Sequence, residues 1–182
     1  MAIEVPVERF PELARVCSEL GKVRGVKAVA PELLHLTIQF LGDIGPGQVD
    51  AIDDRMAATA SESAAFHLEI SGVGAFPSTS RPQVIWVGCG SVELTDFARR
   101  VRQALAGSGV SAGKPFLAHI TIGRVKRAPD QNALIRLLDS AHDHSFGRFE
   151  VTELSLKRSD LGPTGPRYSA LKVWPLGARP AH

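Results

Sequence analysis

The tetrapeptide His-x-Thr-x occurs twice, as His35-Leu36-Thr37-Ile38 and His119-Ile120-Thr121-Ile122, one copy in each half of the chain. Both copies lie in apolar, strand-like runs, Leu33–Leu41 and Phe116–Ile122. Other patterns repeat in the same order. Helix-like segments open near Val7–Glu8 and near Val92–Glu93. The alternating run from Phe66 trails His35 by nearly the same interval as Phe149–Leu154 trails His119. Strand candidates at Gln83 and Arg167 follow their respective histidines at one common interval. The short run Ala2–Val5 reappears at Val84–Val87 and near Ser169–Val173. The chain reads as one strand followed by two copies of helix, His-strand, helix, strand, strand. The period, about 84 residues, exceeds the roughly 20–50 of a solenoid repeat. It fits two half-domains packed together.

Along the chain, Pro11 falls in the first turn of a helix over Glu8–Leu20, where a missing N–H is tolerated, and Gly21 is placed to end it. A second helix spans Gln48–Ala60, with Val49, Ile52 and Met56 on one face. A third spans Val92–Leu105, with Leu94, Phe97, Ala98, Val101 and Leu105 at helical spacing, and a fourth Gln131–Ser140. Gly74–Pro82 is a turn-rich loop carrying Arg81, Gly107–Pro115 leads into the second His-strand, and Leu161–Pro166 is a rigid turn. Helices alternating with mostly antiparallel hairpins give an α+β class. No linker separates free domains, so residues 1–182 are expected to form one bilobed domain of two interleaved half-repeats.

Composition narrows the function classes. Of 182 residues, 44% are apolar and 22% charged, as in ordinary globular domains. The net charge of +2 permits contact with a phosphate or a short nucleic acid but gives no broad footprint for a duplex. No basic-then-apolar leader opens the chain and no apolar run approaches the ~20 residues of a membrane span. Cys17 and Cys89 occupy non-equivalent places and form no metal or redox motif, so a cytoplasmic location with reduced thiols is expected. Without a coiled-coil pattern or a long exposed apolar stripe, a monomer is the expected state.

Strand alternation puts His35 beside Thr37 and His119 beside Thr121, with Leu and Ile neighbours turned into a core. Two such units facing each other place a proton donor, a proton acceptor and two hydroxyls around one point. Imidazole, with an ordinary pKa near ~6.5, can serve in either role. The hydroxyls can donate to non-bridging phosphate oxygens, and Arg124, five residues past His119, can clamp a phosphate. No nucleophile signature accompanies them, so direct attack by water or a ribose hydroxyl, without metal or other cofactor, is the simplest chemistry.

Plainer readings exist. A single His-x-Thr is most often a satisfied histidine in a core or edge, but core packing gives no reason to keep imidazole in both halves. Zinc would want a third protein ligand, which the sequence does not show. His142-Asp143-His144 lies in a polar loop, His67 on a solvent face, and His182 at the terminus. Arg124, Lys126 and Arg127 could be a solvated basic turn, and Arg81 is open between site and surface. Trp86 and Trp174 read as core rather than as stacking platforms.

The segments Leu34–Gly42 and Ala118–Val125 resemble the two signature motifs of the two-histidine (HxTx) phosphoesterases, and most closely those of the RNA 2′,3′-cyclic phosphodiesterases, also called the 2′-5′ RNA ligase family. The similarity extends over Gly72–Pro77, Arg81-Pro82 through Trp86, Phe146–Phe149 and Leu161–Tyr168. It implies a bilobed, pseudo-twofold α+β fold, each lobe an antiparallel sheet with helices outside and the cleft between lobes. It also implies metal-independent hydrolysis of an RNA or nucleoside 2′,3′-cyclic phosphate to the 2′-phosphomonoester. In that pattern His35 is the proton donor, His119 the proton acceptor, and Thr37 and Thr121 hold the phosphate, with Arg124, Phe40 and Arg81 as substrate contacts. With an RNA 5′-hydroxyl in place of water, the reverse-type reaction joins ends through a 2′-5′ bond. The same chemistry on a small cyclic nucleotide or 2′-5′ oligonucleotide, and a binding module without turnover, are the alternatives. The chain departs from the pattern in two places. Met1 directly precedes Ala2-Ile3, where the family has a longer strand with an Arg, so that strand is short or starts upstream. Val26–Val29 replaces a usual aromatic before the first motif.

Overall fold

The computed structural model describes residues 1–106, 108, 110, 115–162 and 165–177. Among them, four helices form where apolar residues recur at helical spacing. Helix α1 (Pro11–Lys22) follows a 3-10 turn at Val7–Arg9, has Pro11 in its first turn, and buries Leu13, Val16, Cys17 and Leu20. It runs through Gly21, which therefore does not end it. That position lies close to Ala28, where an added Cβ would meet the Ala28 Cβ at 3.6 Å. Helix α2 (Pro46–Ser61) buries Ile52, Met56 and Ala60. Helix α3 (Val92–Leu105) starts where Ser91 Oγ accepts from the Leu94 N–H at 3.0 Å, and it buries all five predicted residues. Helix α4 (Gln131–Ala141) is capped by the Asp130 carboxylate, which accepts from the Ala133 N–H.

Nine strands among the described residues complete the fold: β1 (Ala2–Glu4), β2 (Val26–Ala28), β3 (His35–Thr37), β4 (Phe66–Phe76), β5 (Val84–Gly90), β6 (His119–Val125), β7 (Ser145–Val151), β8 (Glu153–Gly162) and β9 (Gly165–Pro175). They pair antiparallel in the order β7-β4-β5-β6-β3-β1-β8-β9, with β2 added to β6. The two His-strands β3 and β6 meet at the centre. Outward from that seam, β1 matches β5, β8 matches β4, and β9 matches β7, so each lobe contributes four strands in the same sequence. The lobes are joined through the pair Leu36↔Ile120, both fully buried. Burial of each such side chain contributes roughly 1.5–3 kcal/mol.

Two strand expectations are corrected by the pairing. The run Phe149–Leu154 is not one strand. It divides at Thr152, so that Ser145–Val151 pairs with β4 and the chain then crosses to pair with β1 and β9. The first His-strand is also shorter than its apolar run. The strand ends at Thr37, and beyond it the N–H groups of Ile38 and Gln39 converge on the Met1 carbonyl. Residues 163 and 164 of the rigid turn, part of the lead-in before Phe116, and His182 lie outside the described residues.

Helices pack in two pairs, α1 with α4 and α2 with α3, each pair mixing the two halves of the sequence. Helix α1 lies on β2 and β6, α4 on β4, and α2 on β9. The α2–β9 contact is fixed by Asp53, whose carboxylate accepts from Trp174 Nε1 at 2.7 Å and from Lys172. The helix-covered face holds Leu36, Leu68, Ile70, Ile85, Val87, Ile120 and Ile122, all fully buried. The opposite face carries the histidines.

Candidate active site

The β3–β6 register decides the geometry. Because Leu36 pairs with Ile120 in antiparallel strands, one step to either side sets His35 against Thr121 and Thr37 against His119. The four side chains share the face opposite the buried Leu36 and Ile120. They form a quadrilateral with the imidazoles on one diagonal and the hydroxyls on the other. Directly opposed residues stand ~4.5–5.5 Å apart and diagonal ones ~7–8 Å at Cβ, which leaves space for a tetrahedral phosphorus between the rings.

Both imidazoles are held in the same way. His35 Nδ1 lies 2.8 Å from the Leu33 carbonyl, and His119 Nδ1 lies 2.8 Å from the Leu117 carbonyl. Leu33 and Leu117 are themselves equivalent positions of the two halves. A carbonyl only accepts, so Nδ1 carries the hydrogen in both rings and Nε2 is the nitrogen free to exchange a proton. Their surroundings differ. Burial pushes the His35 pKa below its ordinary 6.5. The hydrogen bond to Leu33 opposes this, Lys157 adds to the lowering, and Glu4 raises it. Tyr168 packs edge-on against His35 at 4.9 Å, whereas Phe76 does so against His119 at 5.2 Å.

Arg124 reaches the histidine face through an irregularity that the sequence does not announce. Simple alternation would turn a residue five past His119 to the opposite face. In β6, however, Gly123 pairs with Ile85 and Thr121 with Trp86, leaving Ile122 as an extra residue. This bulge keeps both Ile122 and Gly123 on the helix side, where an added Cβ at Gly123 would meet Leu20, and returns Arg124 to the open face. There it is exposed, with Lys27 of β2 as its cross-strand neighbour. Phe40 holds the place in the first half that Arg124 holds in the second, five residues past its histidine, and is 74% exposed. Arg81 lies in the exposed loop between β4 and β5. That loop is fastened to α4 by Gln131 Nε2 donating to the Thr79 carbonyl, at the end of β5 where Val84 pairs with Arg124.

Several residues at the site escaped the sequence reading. Trp86 is not core. It is half-buried on the open face beside Thr121, lying over Gly74 and against Phe76 at 5.2 Å, and its buried Nε1 has no hydrogen-bond partner among the described residues. Trp174 is core, at 5% exposure. On the other lobe, Glu4 pairs with His35 in register, and its carboxylate receives Lys157 and Ser155. The signal for all of these was strand alternation, but which face of each strand looks into the cleft depends on pairing partners far away in sequence.

Other candidates stand apart. His67 is exposed on β4, and His142 is exposed and bonded to Asp143 at 2.8 Å. Among the described residues, no three His, Cys, Asp or Glu side chains gather closely enough to hold a metal ion, and no helix is long and apolar enough to cross a membrane.

Comparison with known proteins places this geometry. The profile described as LigT like Phosphoesterase matches residues 3–86 and 88–168. An RNA 2′,3′-cyclic phosphodiesterase of Archaeoglobus fulgidus is 38% identical over 176 residues, covering 96% of this chain and 97% of its own. One from Methanothermobacter thermautotrophicus is 34% identical over 152 residues, covering 83% of each. Among solved structures, TT0787 of Thermus thermophilus superposes with a TM-score of 0.82 at 28% identity, covering 97% of this chain and 96% of that one. Apo LigT of E. coli gives 0.74 at 26%, covering 97% and 95%. A profile match and relatives that run nearly end to end show that the chain belongs to the LigT-like phosphoesterase family.

Proposed function

We propose that this chain hydrolyses 2′,3′-cyclic phosphates at RNA ends or on nucleotides to 2′-phosphomonoesters, as a metal-independent cyclic phosphodiesterase. The observation that carries this reading is the diagonal pair of imidazoles, each with Nδ1 tied to the carbonyl two residues upstream, which leaves Nε2 as the nitrogen to exchange a proton. The names of the curated relatives support the substrate class.

In the reaction, water attacks phosphorus while His119 Nε2 takes its proton. The P–O3′ bond breaks and His35 Nε2 delivers its proton to O3′, leaving the phosphate on O2′. Each proton transfer contributes roughly 10²–10⁴-fold. The burial that lowers the proton affinity of His35 makes its imidazolium a stronger acid toward the departing oxygen. Thr37 and Thr121 donate to the non-bridging oxygens, Arg124 balances their charge, and Phe40 and Arg81 contact the nucleotide at the rim. An RNA 5′-hydroxyl in the place of water makes a 2′-5′ joint by the reverse-type reaction. We further read residues 1–182 as one domain of two interleaved half-repeats, supported by the matching strand order outward from the seam, and as a cytoplasmic monomer.

The test is a short RNA ending in a 2′,3′-cyclic phosphate, incubated in EDTA and followed by phosphorus NMR. A 2′-monophosphate is expected, and loss of turnover in His35→Ala and in His119→Ala with thermal unfolding unchanged. A 3′-monophosphate, or activity retained in either variant, overturns the mechanism.

A further inference from the structure

Lys157 and Glu4 form an ion pair on the cleft face that the reaction as described does not use. The β1–β3 register puts Glu4 directly opposite His35. At the ~4.5–5.5 Å Cβ spacing of opposed residues, a bare carboxylate there would hold the imidazolium as an ion pair and resist its deprotonation. The structure pairs that carboxylate with a cation. Lys157 Nζ lies 2.7 Å from Glu4 Oε1 and 2.8 Å from Oε2, and the Ser155 hydroxyl is shared between the Ala2 carbonyl at 3.1 Å and Oε1 at 3.2 Å. Only 13% of the Lys157 side chain is exposed, so a long flexible cation has been immobilised for this contact. The same ammonium sits 5.4 Å from the centre of the Tyr168 ring, which also packs against His35 at 4.9 Å. Lys157 therefore borders His35 twice, through Glu4 and through Tyr168.

We propose that Lys157 is a positioning residue for His35: by neutralising Glu4 and bracing Tyr168, it keeps the His35 proton mobile instead of locked to a carboxylate. This rests on reading His35 as the proton donor. Other groups facing the imidazole are His119 across the seam and the amino group of Met1, whose pKa burial lowers to about 5. The second half has nothing comparable among the described residues, because the strand residue opposite His119 is Gly88 where the one opposite His35 is Glu4, and the ring beside His119 is Phe76 where that beside His35 is Tyr168. The pair thus distinguishes two otherwise equivalent histidines.

The decisive experiment titrates His35 by two-dimensional ¹H–¹⁵N NMR of the imidazole, its signals identified by their loss in His35→Ala, alongside the pH profile of kcat/KM. Lys157→Met should raise the His35 midpoint by about half to one pH unit, because the opposing carboxylate is then unanswered. The alkaline limb of the rate profile should move up with it. Glu4→Gln should move both the other way. The double variant should return near the parent, and Lys157→Arg should keep the parent midpoint. A His35 midpoint that ignores both charges, or moves in the same direction in both single variants, overturns the proposal. A merely structural ion pair would lower the unfolding temperature and leave the titration in place. Because the titration needs no substrate, a parent that fails to open cyclic phosphates refutes the assigned reaction separately.

Discussion

Replacing Gly74 by Ala tests how the floor of the cleft is held. An ideal Cβ at Gly74 would fall within 3 Å of three indole atoms of Trp86, Cζ2, Cη2 and Cε2. Ordinary carbon contacts stand at ~3.5–4.0 Å, so the rigid ring must withdraw by roughly 1 Å. It has little room, since Phe76 packs against it at 5.2 Å. Overpacking of this kind costs about 1–3 kcal/mol, against a gain of ~0.4–1 kcal/mol from a stiffer unfolded chain, leaving about 0–2.6 kcal/mol of net destabilisation. Gly90→Ala is the matched control, because it sits on the adjacent strand of the same pair and an added Cβ there meets nothing within 4 Å. Its stability should equal or slightly exceed that of the parent. Urea unfolding of both variants, followed by circular dichroism, measures the difference, and tryptophan emission reports whether Trp86 has moved. Phe76 also touches His119, so kcat/KM of Gly74→Ala should fall roughly ten- to a hundredfold through a misplaced imidazole. If Gly74→Ala is as stable as Gly90→Ala, with unchanged emission, the account of Trp86 as a ring pinned over Gly74 is wrong.

Two further outcomes follow from named contacts. Arg124→Ala should lower kcat/KM by about 10²–10³-fold, the loss typical of one donor to a developing oxyanion, and Arg124→Lys should recover only part of it because the planar fork is gone. Steady-state rates at the parent level in both would remove Arg124 from the site. For stability, the hydrogen bond from Lys172 and then that from Trp174 hold the Asp53 carboxyl below its ordinary 3.8. A depressed carboxylate pKa contributes stability above the unfolded value and loses it as pH falls through the folded value. Unfolding midpoints should therefore place Asp53→Asn well below the parent at pH 7 and close to it in strong acid, whereas a gap that is constant with pH would sink this assignment.

Much of the architecture is legible in the sequence because local periodicity and duplication point the same way. Leu94, Phe97, Ala98, Val101 and Leu105 mark one helix face by spacing alone, and the recurrence of the His35 motif at His119 predicts paired lobes before any contact is known. What local pattern does not carry is pairing. Nothing in Phe149–Leu154 says that Thr152 is where the chain leaves one lobe for the other, since both parts have strand character and only their distant partners differ. The same gap explains the site. Trp86 reads as core because an aromatic in an apolar strand usually is core, and its exposure to the cleft follows from facing Thr121. Arg124 reads as near the histidines by sequence distance, yet alternation would turn it away. Its arrival depends on the extra residue Ile122, which becomes visible only once β5 is laid beside β6.

In the proposed reaction one cleft holds an acid and a base of the same residue type, and the near-symmetry of the two halves accounts for their matched placement. Identical anchoring, Leu33 to His35 and Leu117 to His119, fixes the same tautomer in both rings, so it cannot separate their roles. The separation has to come from what surrounds each imidazole. His35 sits partly buried between Tyr168 and an internally neutralised Glu4–Lys157 pair, which favours giving up a proton. The hydrogen bond of His119 is exposed, its ring lies edge-on to Phe76, and Arg124 follows where the other half has Phe40. A phosphate drawn to the Arg124 side would lie beside His119, the histidine proposed to accept the proton of the attacking water. The chain thus uses duplication for position and divergence for charge. Exchanging Phe40 and Arg124 in one double variant should move the cation to the His35 side of the cleft and abolish turnover even though every His and Thr remains. Retained kcat in that variant would show that the asymmetry of the cleft does not set the direction of proton transfer.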